Sequence, residues 1–556
     1  MPDTTKPKHL TRPIVVLAAV ALALLTVVLA FRGWDRSVED RLGRWAVEEI
    51  ARRTNGTYHL ALSDLSFLPL TGSISFDSAL ISTDSVRNRR RKSPLPGLEG
   101  RARGCRVSGL DVVRLALRQA FVARELGCDR VVARIALASR AKDEGWPARD
   151  PVGAAALLEQ PASPLGLSSF EVADVSFPSF RLSLKRPGRR AGTSILLDHA
   201  RFEAKDLVFD PTAHHRARGG LSAGRAGLTA TGLVLRSNTG TEIAIASAKV
   251  DLIDSTLRLA GARHEPSIPE NQWVHRVRVR RDRIRFELDS LRARGVAWGA
   301  FVATGDIRGR AVELEGARLD VLTDKRIPRG RFPRHRSPQQ VAAGAAPAFR
   351  LDSLLVSAGT IVYREREPGS ERPGRFSFDA VRGRVLDLHL PPRGKPLRIE
   401  ARARLMNAGV LTVEALVPLH APDFRYQLSG RLGQMSATAF NAFLAENESL
   451  EFGEGWVDGI DFRQTVSGGR GLTTVTPRFH DVSVRPTDDG GGLLGSVKRA
   501  AKKFVANAFV VDDRNPDENG DHLRTASLVR RYDPAKTWVQ FIWFGLRDGL
   551  MDALKE

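Results

Sequence analysis

Val277-Arg-Val-Arg-Arg-Asp-Arg-Ile-Arg-Phe-Glu-Leu-Asp289 is the stretch whose reading decides the fold class. Val277 and Val279 alternate with Arg278 and Arg280. After a slip at Arg281–Asp282, Ile284, Phe286 and Leu288 alternate with Arg285, Glu287 and Asp289. A period of two belongs to a strand, or to two strands and a bulge, with one wet face and one apolar face.

The same period governs most of the chain from Tyr58 onward. It recurs at Phe170–Leu184, Ile195–Phe209, Leu228–Leu235, Glu242–Leu259, Ala311–Leu322, Phe349–Tyr363, Phe376–Leu390, Leu397–Leu416 and Phe424–Leu432. The segments that begin at Phe170 and Phe349 share one plan. An apolar strand carries an acidic residue, breaks at Pro178 or Gly359, and continues as a second alternating strand. A polar loop and a further strand follow in both cases. A recurring unit of this kind predicts a quasi-one-dimensional sheet. Long amphipathic helices are scarce between Tyr58 and Leu432, the best being Asp111 to Ala120. An apolar sheet face left without helices must meet a second sheet, close into a barrel or hold something greasy. A β-sandwich or an ordinary solenoid is the competing architecture.

The chain has 556 residues, enough for several domains or one repetitive body. Its two cysteines, Cys105 and Cys128, exclude a disulfide-dense scaffold and any site made of cysteines alone, and leave room for one bridge. The formal net charge is +22, but the basic residues are spread along the chain among Asp and Glu. That pattern reads as a solvated surface rather than a binding patch. Aromatic residues are only 7% and do not interleave with the basic ones, so nucleic acid is not an expected partner.

Ile14 to Phe31, IVVLAAVALALLTVVLAF, carries no charge and is long enough to span a bilayer as a helix. Lys6, Lys8 and Arg12 precede it, which places the first residues in the cytoplasm and the body outside it. A cleaved signal peptide is the competing reading. The expected organisation is a cytoplasmic tail (1–12), an anchor (13–31), a linker helix (32–54) and a first β region (55–139). A Pro-rich linker (140–166), a repetitive β groove (167–327) and a second Pro-, Arg- and Ala-rich linker (328–347) follow. A last β region (348–487) and C-terminal helices (488–556) complete it.

Toward the C-terminus, Ser436 to Glu446 reads as a helix with Ser436 as N-cap. Leu493 to Phe509 reads as an amphipathic helix with Lys498, Arg499, Lys502 and Lys503 on its polar face. The closing segment places Trp538, Phe541, Trp543 and Phe544 within two turns. Lysines and tryptophans so arranged suit a membrane surface; they equally suit helices that cap the end of a sheet. Lys498, Lys502, Lys503, Trp538 and Trp543 are the membrane-surface candidates.

Catalytic motifs do not survive their context. Gly220-Leu-Ser222-Ala-Gly224 matches a nucleophile elbow but lies between a basic loop and a strand. Gly490 to Gly495 matches a dinucleotide fingerprint without a βαβ unit around it, and Asp488 and Asp489 would repel a pyrophosphate. His214-His215 has no third ligand at metal spacing. The expectation is therefore no catalytic residue, no metal and no cofactor.

The run Leu62-Ser-Asp-Leu-Ser-Phe-Leu-Pro-Leu-Thr-Gly-Ser-Ile-Ser-Phe-Asp-Ser-Ala-Leu-Ile-Ser82 behind an N-terminal anchor resembles the start of AsmA-like envelope proteins. Val107 to Phe121 fits the same pattern. Phe440–Leu444, Gly455–Phe462, Phe479–Val484 and the closing stretch from Arg530 through Trp543 to Gly549 resemble the end of such proteins. The resemblance implies a non-enzymatic bacterial inner-membrane protein, single-pass, with its bulk in the periplasm. Its relatives are counted with the bridge-like lipid transfer proteins, whose β groove holds acyl chains on an apolar floor. The long Pro-rich insertions and the two cysteines depart from that family, and the chain is short for a bridge across the envelope. On this reading the fold is mainly β, an elongated curved antiparallel sheet with a transmembrane helix before it and amphipathic helices after it. The implied partners are phospholipids, the inner membrane and other envelope proteins. Ile284, Phe286, Leu288, Leu354, Val356, Ile361, Phe376 and Phe378 are the expected lipid-binding positions. The alternative function is a structural or assembly factor for outer-membrane proteins.

Overall fold

The computed structural model describes residues 54–68, 71–90, 97–111, 113–114, 120–136, 169–186, 193–209, 221–236, 241–298, 306–330, 335–345, 348–392, 394–448, 450–487 and 513–553, together with 44, 47, 48 and 50–52. The expected anchor, the 140–166 linker, His214-His215, the Gly490–Gly495 motif and the helix with Lys498, Lys502 and Lys503 lie outside the described residues. Among the described residues no helix is long and apolar enough to cross a membrane.

The protein is mainly β. In chain order the strands are β1 (Tyr58–Ser63), β2 (Ser66–Leu68), β3 (Ser73–Thr83), β4 (Gly97–Ser108), β5 (Ala120–Ala136), β6 (Ser169–Arg186), β7 (Thr193–Phe209), β8 (Leu221–Ser222), β9 (Arg225–Arg236), β10 (Glu242–Asp251), β11 (Thr256–His264) and β12 (Arg283–Arg294). They continue as β13 (Ile307–Glu315), β14 (Arg318–Asp324), β15 (Phe349–Arg366), β16 (Gly374–Leu390), β17 (Leu397–Leu405), β18 (Gly409–Val417), β19 (Tyr426–Leu432), β20 (Met435–Ser436), β21 (Leu450–Ser467), β22 (Arg470–Pro486) and β23 (Ala526–Arg531). The chain divides into two compact units, residues 1–262 with 292–309 and residues 263–291 with 310–556.

In the first unit β1 and β2 both pair with β3, and β3, β4 and β5 follow antiparallel. β6 joins β5 in parallel, and β7, β9 and β10 continue antiparallel. In the second unit β12 pairs antiparallel with β14, and β14 pairs in parallel with β15. From β15 the ladder runs antiparallel through β16, β17, β18, β19, β21, β22 and β23. The expectation of a purely antiparallel sheet is thus corrected: the sheets are mixed. A parallel neighbour requires the chain to return to the end it started from, which takes a dozen or more residues. Between β14 and β15 that length is available, and the described part of it packs closely. The helix Pro338–Ala343 starts with a full capping box, Ser337 with Gln340, and the buried Gln339 donates from Nε2 to the Arg425 carbonyl at 2.6 Å.

Two further expectations change. The breaks at Pro178 and Gly359 are bulges inside single long strands, β6 and β15, where the register shifts. Ala358 and Ala380, on neighbouring strands, take up the extra residue at φ 52° and 50°. A bulge bends the strand and strengthens its twist while keeping the same face toward the same side. The Val277–Asp289 stretch is strand only from Arg283. Val277 ends a helix, Glu270–Arg276, and buries against Trp273 and Ile327. Arg280 is drawn away from any ladder because its Nε donates to the Ile327 carbonyl at 2.9 Å. The slip at Arg281–Asp282 marks the boundary between the two structures.

Candidate functional site

The strand registers turn the alternating sequences into rows. In the first unit, Leu98, Ile135, Leu184, Ile195, Leu235 and Ile243 are mutual partners across β4, β5, β6, β7, β9 and β10. Gly100, Ala133, Leu182, Leu197, Leu233 and Ile245 form the next row on that face. Farther along, Ala200, Ala230 and Ala248 form a row of small side chains beside the larger row Phe202, Leu228 and Val250. Ala204 and Ala226 follow on its other side. Alternating small and large rows make furrows that run across the strands, in the direction in which neighbouring strands repeat every ~4.8 Å. Ile50 packs against Tyr58, Leu60 and Leu98 at the start of this unit. The cluster around Val172, Val175, Ala204 and Ala226 is built, among the described residues, from strands and loops alone.

The second unit repeats the arrangement. Ile284, Val321, Tyr363 and Phe376 form one row across β12, β14, β15 and β16. Phe286, Leu319, Ile361, Phe378 and Leu405 form the next, extending onto β17. Leu354 and Val356 pair with Val385 and Gly383, and these with Ile399 and Ala401. The registers and the alternation of Leu288 with Phe286 therefore bring all eight expected positions onto one face. The sequence alone did not single out Leu319, Val321, Tyr363 and Leu405, their row neighbours, because register is a property of strand pairs.

Exposure divides that face. Ile284 is 45% and Ile361 37% exposed, and Phe286, Leu354 and Val356 are half-buried, whereas Leu288 is buried at 5%. Phe376 and Phe378 belong to a cluster with Leu405, Leu432, Phe440 and Val457. Two helical segments roof this part. Ala437–Phe440, capped by Ser436, continues into Asn441–Glu448, so the expected helix is present in a tighter first turn. Phe440 and Phe443 bring their ring centroids to 6.3 Å and 5.7 Å from that of Phe376. The helix Trp538–Ala553 lies over β21 and β22 through Phe541, Gly545, Gly549 and Ala553, one residue per turn. Beneath it the Tyr426 hydroxyl donates to Gln464 Oε1, and Gln464 Nε2 donates to Thr473 Oγ1 at 2.7 Å. Burial pushes the Tyr426 phenol far up, so it stays a donor. Trp538 and Val539 are exposed, whereas Trp543, 40% exposed, packs its ring edge-on against Phe376 with centroids 5.8 Å apart.

Polar groups border the apolar rows. Asp282, Thr323 and Glu365 continue the face beyond Ile284, Val321 and Tyr363. Thr323 Oγ1 donates to Asp282 at 2.7 Å and Tyr363 OH to Glu365 Oε2 at 2.6 Å. Lys325 Nζ meets Glu365 at 2.7 Å, and Asn447 Nδ2 donates to the same carboxylate at 3.0 Å. The side opposite these rows is part wet and part covered. In the second unit Arg384–Glu400 and Arg318–Asp289, both at 2.8 Å, are solvated cross-strand pairs on it, whereas Arg283 and Leu322, partners across β12 and β14, are buried on it. In the first unit Arg181–Asp198 at 3.1 Å is a solvated cross-strand pair. Cys105 and Cys128 face each other on β4 and β5 and form a disulfide.

Ser222 lies in β8, paired with Val208, and β9 begins three residues later. The strand–turn–helix that an elbow needs is not formed there. Among the described residues no three of His, Cys, Asp and Glu converge as a metal site. No protein-family model matches this chain, and no curated protein matches it.

Proposed function

We propose that this is a non-enzymatic protein, anchored in a bacterial inner membrane with its body in the periplasm, whose sheets bind or pass phospholipid acyl chains for outer-membrane lipid homeostasis. The observation that carries the proposal is the set of apolar rows that cross successive strands and, at Ile284 and Ile361, remain exposed to solvent. Large exposed apolar surface marks an interaction site. A protein strand would need free backbone edges, but the backbone of an interior strand is already paired on both sides. An alkyl chain needs no hydrogen bonds and gains about 0.8 kcal/mol for each CH₂ it buries. The furrow between the Ala200 and Phe202 rows has a lateral scale set by alternate residues on one strand, suited to a single chain. The disulfide fits an oxidising compartment such as the periplasm, and the AsmA-like resemblance points the same way.

The test is photo-crosslinking in living cells with benzoylphenylalanine at Ile284, Ile361 or Leu228 of the full chain, and at Arg402 on the wet face as control. The expected result is phospholipid adducts at the first three positions and none at Arg402. Adducts to outer-membrane proteins instead would favour the assembly-factor reading and overturn this one.

A further inference from the structure

Beyond the row Leu354, Val385 and Ile399, the same side of the second unit's sheet ends in charge. Arg350 and His389 are cross-strand partners on β15 and β16. Asp352 and Asp387 face each other between the pairs Leu351–Leu388 and Ser353–Leu386. Alternation turns Arg350, Asp352 and Leu354 to one side, as it does His389, Asp387 and Val385. With Gly394 and Lys395 of the turn between β16 and β17, these four charged or polar residues line an open cavity of about 660 Å³. That volume falls within the ~300–1,000 Å³ of small-molecule sites.

The charges of the cavity do not cancel internally. His389 Nε2 stands 3.8 Å from Asp352, beyond hydrogen-bond reach. Among the described residues, the side chains of Asp387 and Lys395 have no hydrogen-bond or ion-pair partner. Like charges directly opposite each other on neighbouring strands are destabilising, so Asp352 and Asp387 leave a place for a cation. Arg350, His389 and Lys395 can donate to an oxyanion. A bare phosphate would meet the two carboxylates, and a bare amine the guanidinium and the lysine. A ligand carrying both signs meets neither conflict.

We infer that this cavity binds a phosphate–ammonium zwitterion, the chemistry of a phosphoethanolamine headgroup or of its free phosphodiester. The phosphate lies toward Arg350, His389 and Lys395, and the ammonium between Asp352 and Asp387, two residues or ~6.8 Å along the strands. The site stands on its own charges. Its assignment to a lipid rests on the acyl-chain reading above, since a headgroup held there lets its chain run onto Leu354, Val385 and Ile399.

The test uses the full chain held in amphipol and titrated with glycerophosphoethanolamine in a calorimeter. This probe is expected to bind at least tenfold more tightly than inorganic phosphate or ethanolamine alone. Lys395→Gln and Asp387→Asn should each weaken it at least fivefold, and Lys395→Arg should retain it. Lys395 is exposed, and asparagine tolerates the φ of 59° at residue 387, so neither variant threatens the fold. Equal binding of inorganic phosphate, or binding of the probe unchanged by both variants, would overturn the site, whatever the crosslinks at Ile284 and Ile361 report. Lysophosphatidylethanolamine separates the two sources. Affinity at least tenfold above that of glycerophosphoethanolamine, with the gain lost in Leu354→Asn, assigns the cavity to a lipid headgroup. No gain supports the zwitterion site with a free phosphodiester as its ligand and overturns its link to the acyl chain.

Discussion

Gly545 rests directly on Gln464: a β-carbon at residue 545 would lie 2.3 Å from Gln464 Nε2 and 2.7 Å from Thr473 Oγ1. The helix Trp538–Ala553 can approach β21 and β22 this closely only because those side chains are absent. Gly549, whose β-carbon would stand 2.7 Å from a Val475 methyl, makes the second seat. The roof over the sheet end is thus a fitted contact.

Gly545→Leu should unseat that helix. Overpacking of a filled interface costs roughly 1–3 kcal/mol, and Gln464 would lose its ordered surroundings as well. A lowered urea midpoint and increased protease cleavage near Trp538 are expected. Unchanged values on both measures would mean that the helix is not tightly docked.

Ile284→Asn and Ile361→Asn should reduce lipid adducts severalfold while changing stability by no more than about 0.5 kcal/mol, the usual range for exposed positions. Leu288→Asn, on the same strand face but 5% exposed, should instead destabilise by roughly 1–3 kcal/mol, because an amide is then buried without partners. Equal effects on thermal midpoint at all three positions would contradict the division of the face into open and closed parts.

Arg364 is held by Glu270 at 2.9 Å and Asp320 at 2.8 Å, with only 19% of its side chain exposed. Arg364→Met leaves two carboxylates facing each other. The expected loss is roughly 1–3 kcal/mol, less than for a fully buried pair because both acids retain some solvent. Glu270→Gln in the same background should recover part of it, and a double-mutant cycle without coupling would refute the arrangement.

Stability should decline at both extremes of pH. Burial would raise the Glu365 carboxyl, but hydrogen bonds from Lys325 and Tyr363 and the lysine charge hold it below its ordinary range. Glu270 is depressed likewise, with Arg364 overcoming its burial. The unfolded chain then binds protons before the folded one, so their contribution is complete above the ordinary glutamate range near ~4.3 and lost as pH falls through the depressed folded values. Burial would lower Lys325, yet Glu365 and Glu367 raise it above the ordinary lysine value. Its contribution is complete below the ordinary lysine range near ~10.4 and lost as pH rises through the higher folded value. Urea midpoints across the pH range should trace this dome, and Glu365→Gln should flatten both sides.

Joining Cys105 to Cys128 closes a loop of 23 residues in sequence separation. Its reduction should cost about 3 kcal/mol, read as a lower urea midpoint in reductant. The same result from a Cys105→Ser, Cys128→Ser protein, insensitive to reductant, would confirm the source.

The sequence by itself determined the class of structure and the two-faced character of its strands. Alternation at Ile284, Phe286 and Leu288 is local, since successive side chains of an extended backbone must point opposite ways. The Ser436 cap was legible for the same reason. Tertiary structure alone decided which strands are neighbours and hence which side chains share a row. Phe286 reaches Phe378 only through Leu319 and Ile361, on strands that lie between them in the chain but whose order and direction the sequence does not record. It also decided that β5–β6 and β14–β15 run in parallel, because nothing in a strand's own pattern records its partner's direction. That Phe376 is packed against by aromatic rings from two helical segments while Ile361 is exposed could not be told from residue type, since both are apolar and both face the same side. Part of the difference comes from where the helix Trp538–Ala553, far later in the chain, finds room to sit, and Gly545 and Gly549 provide that room.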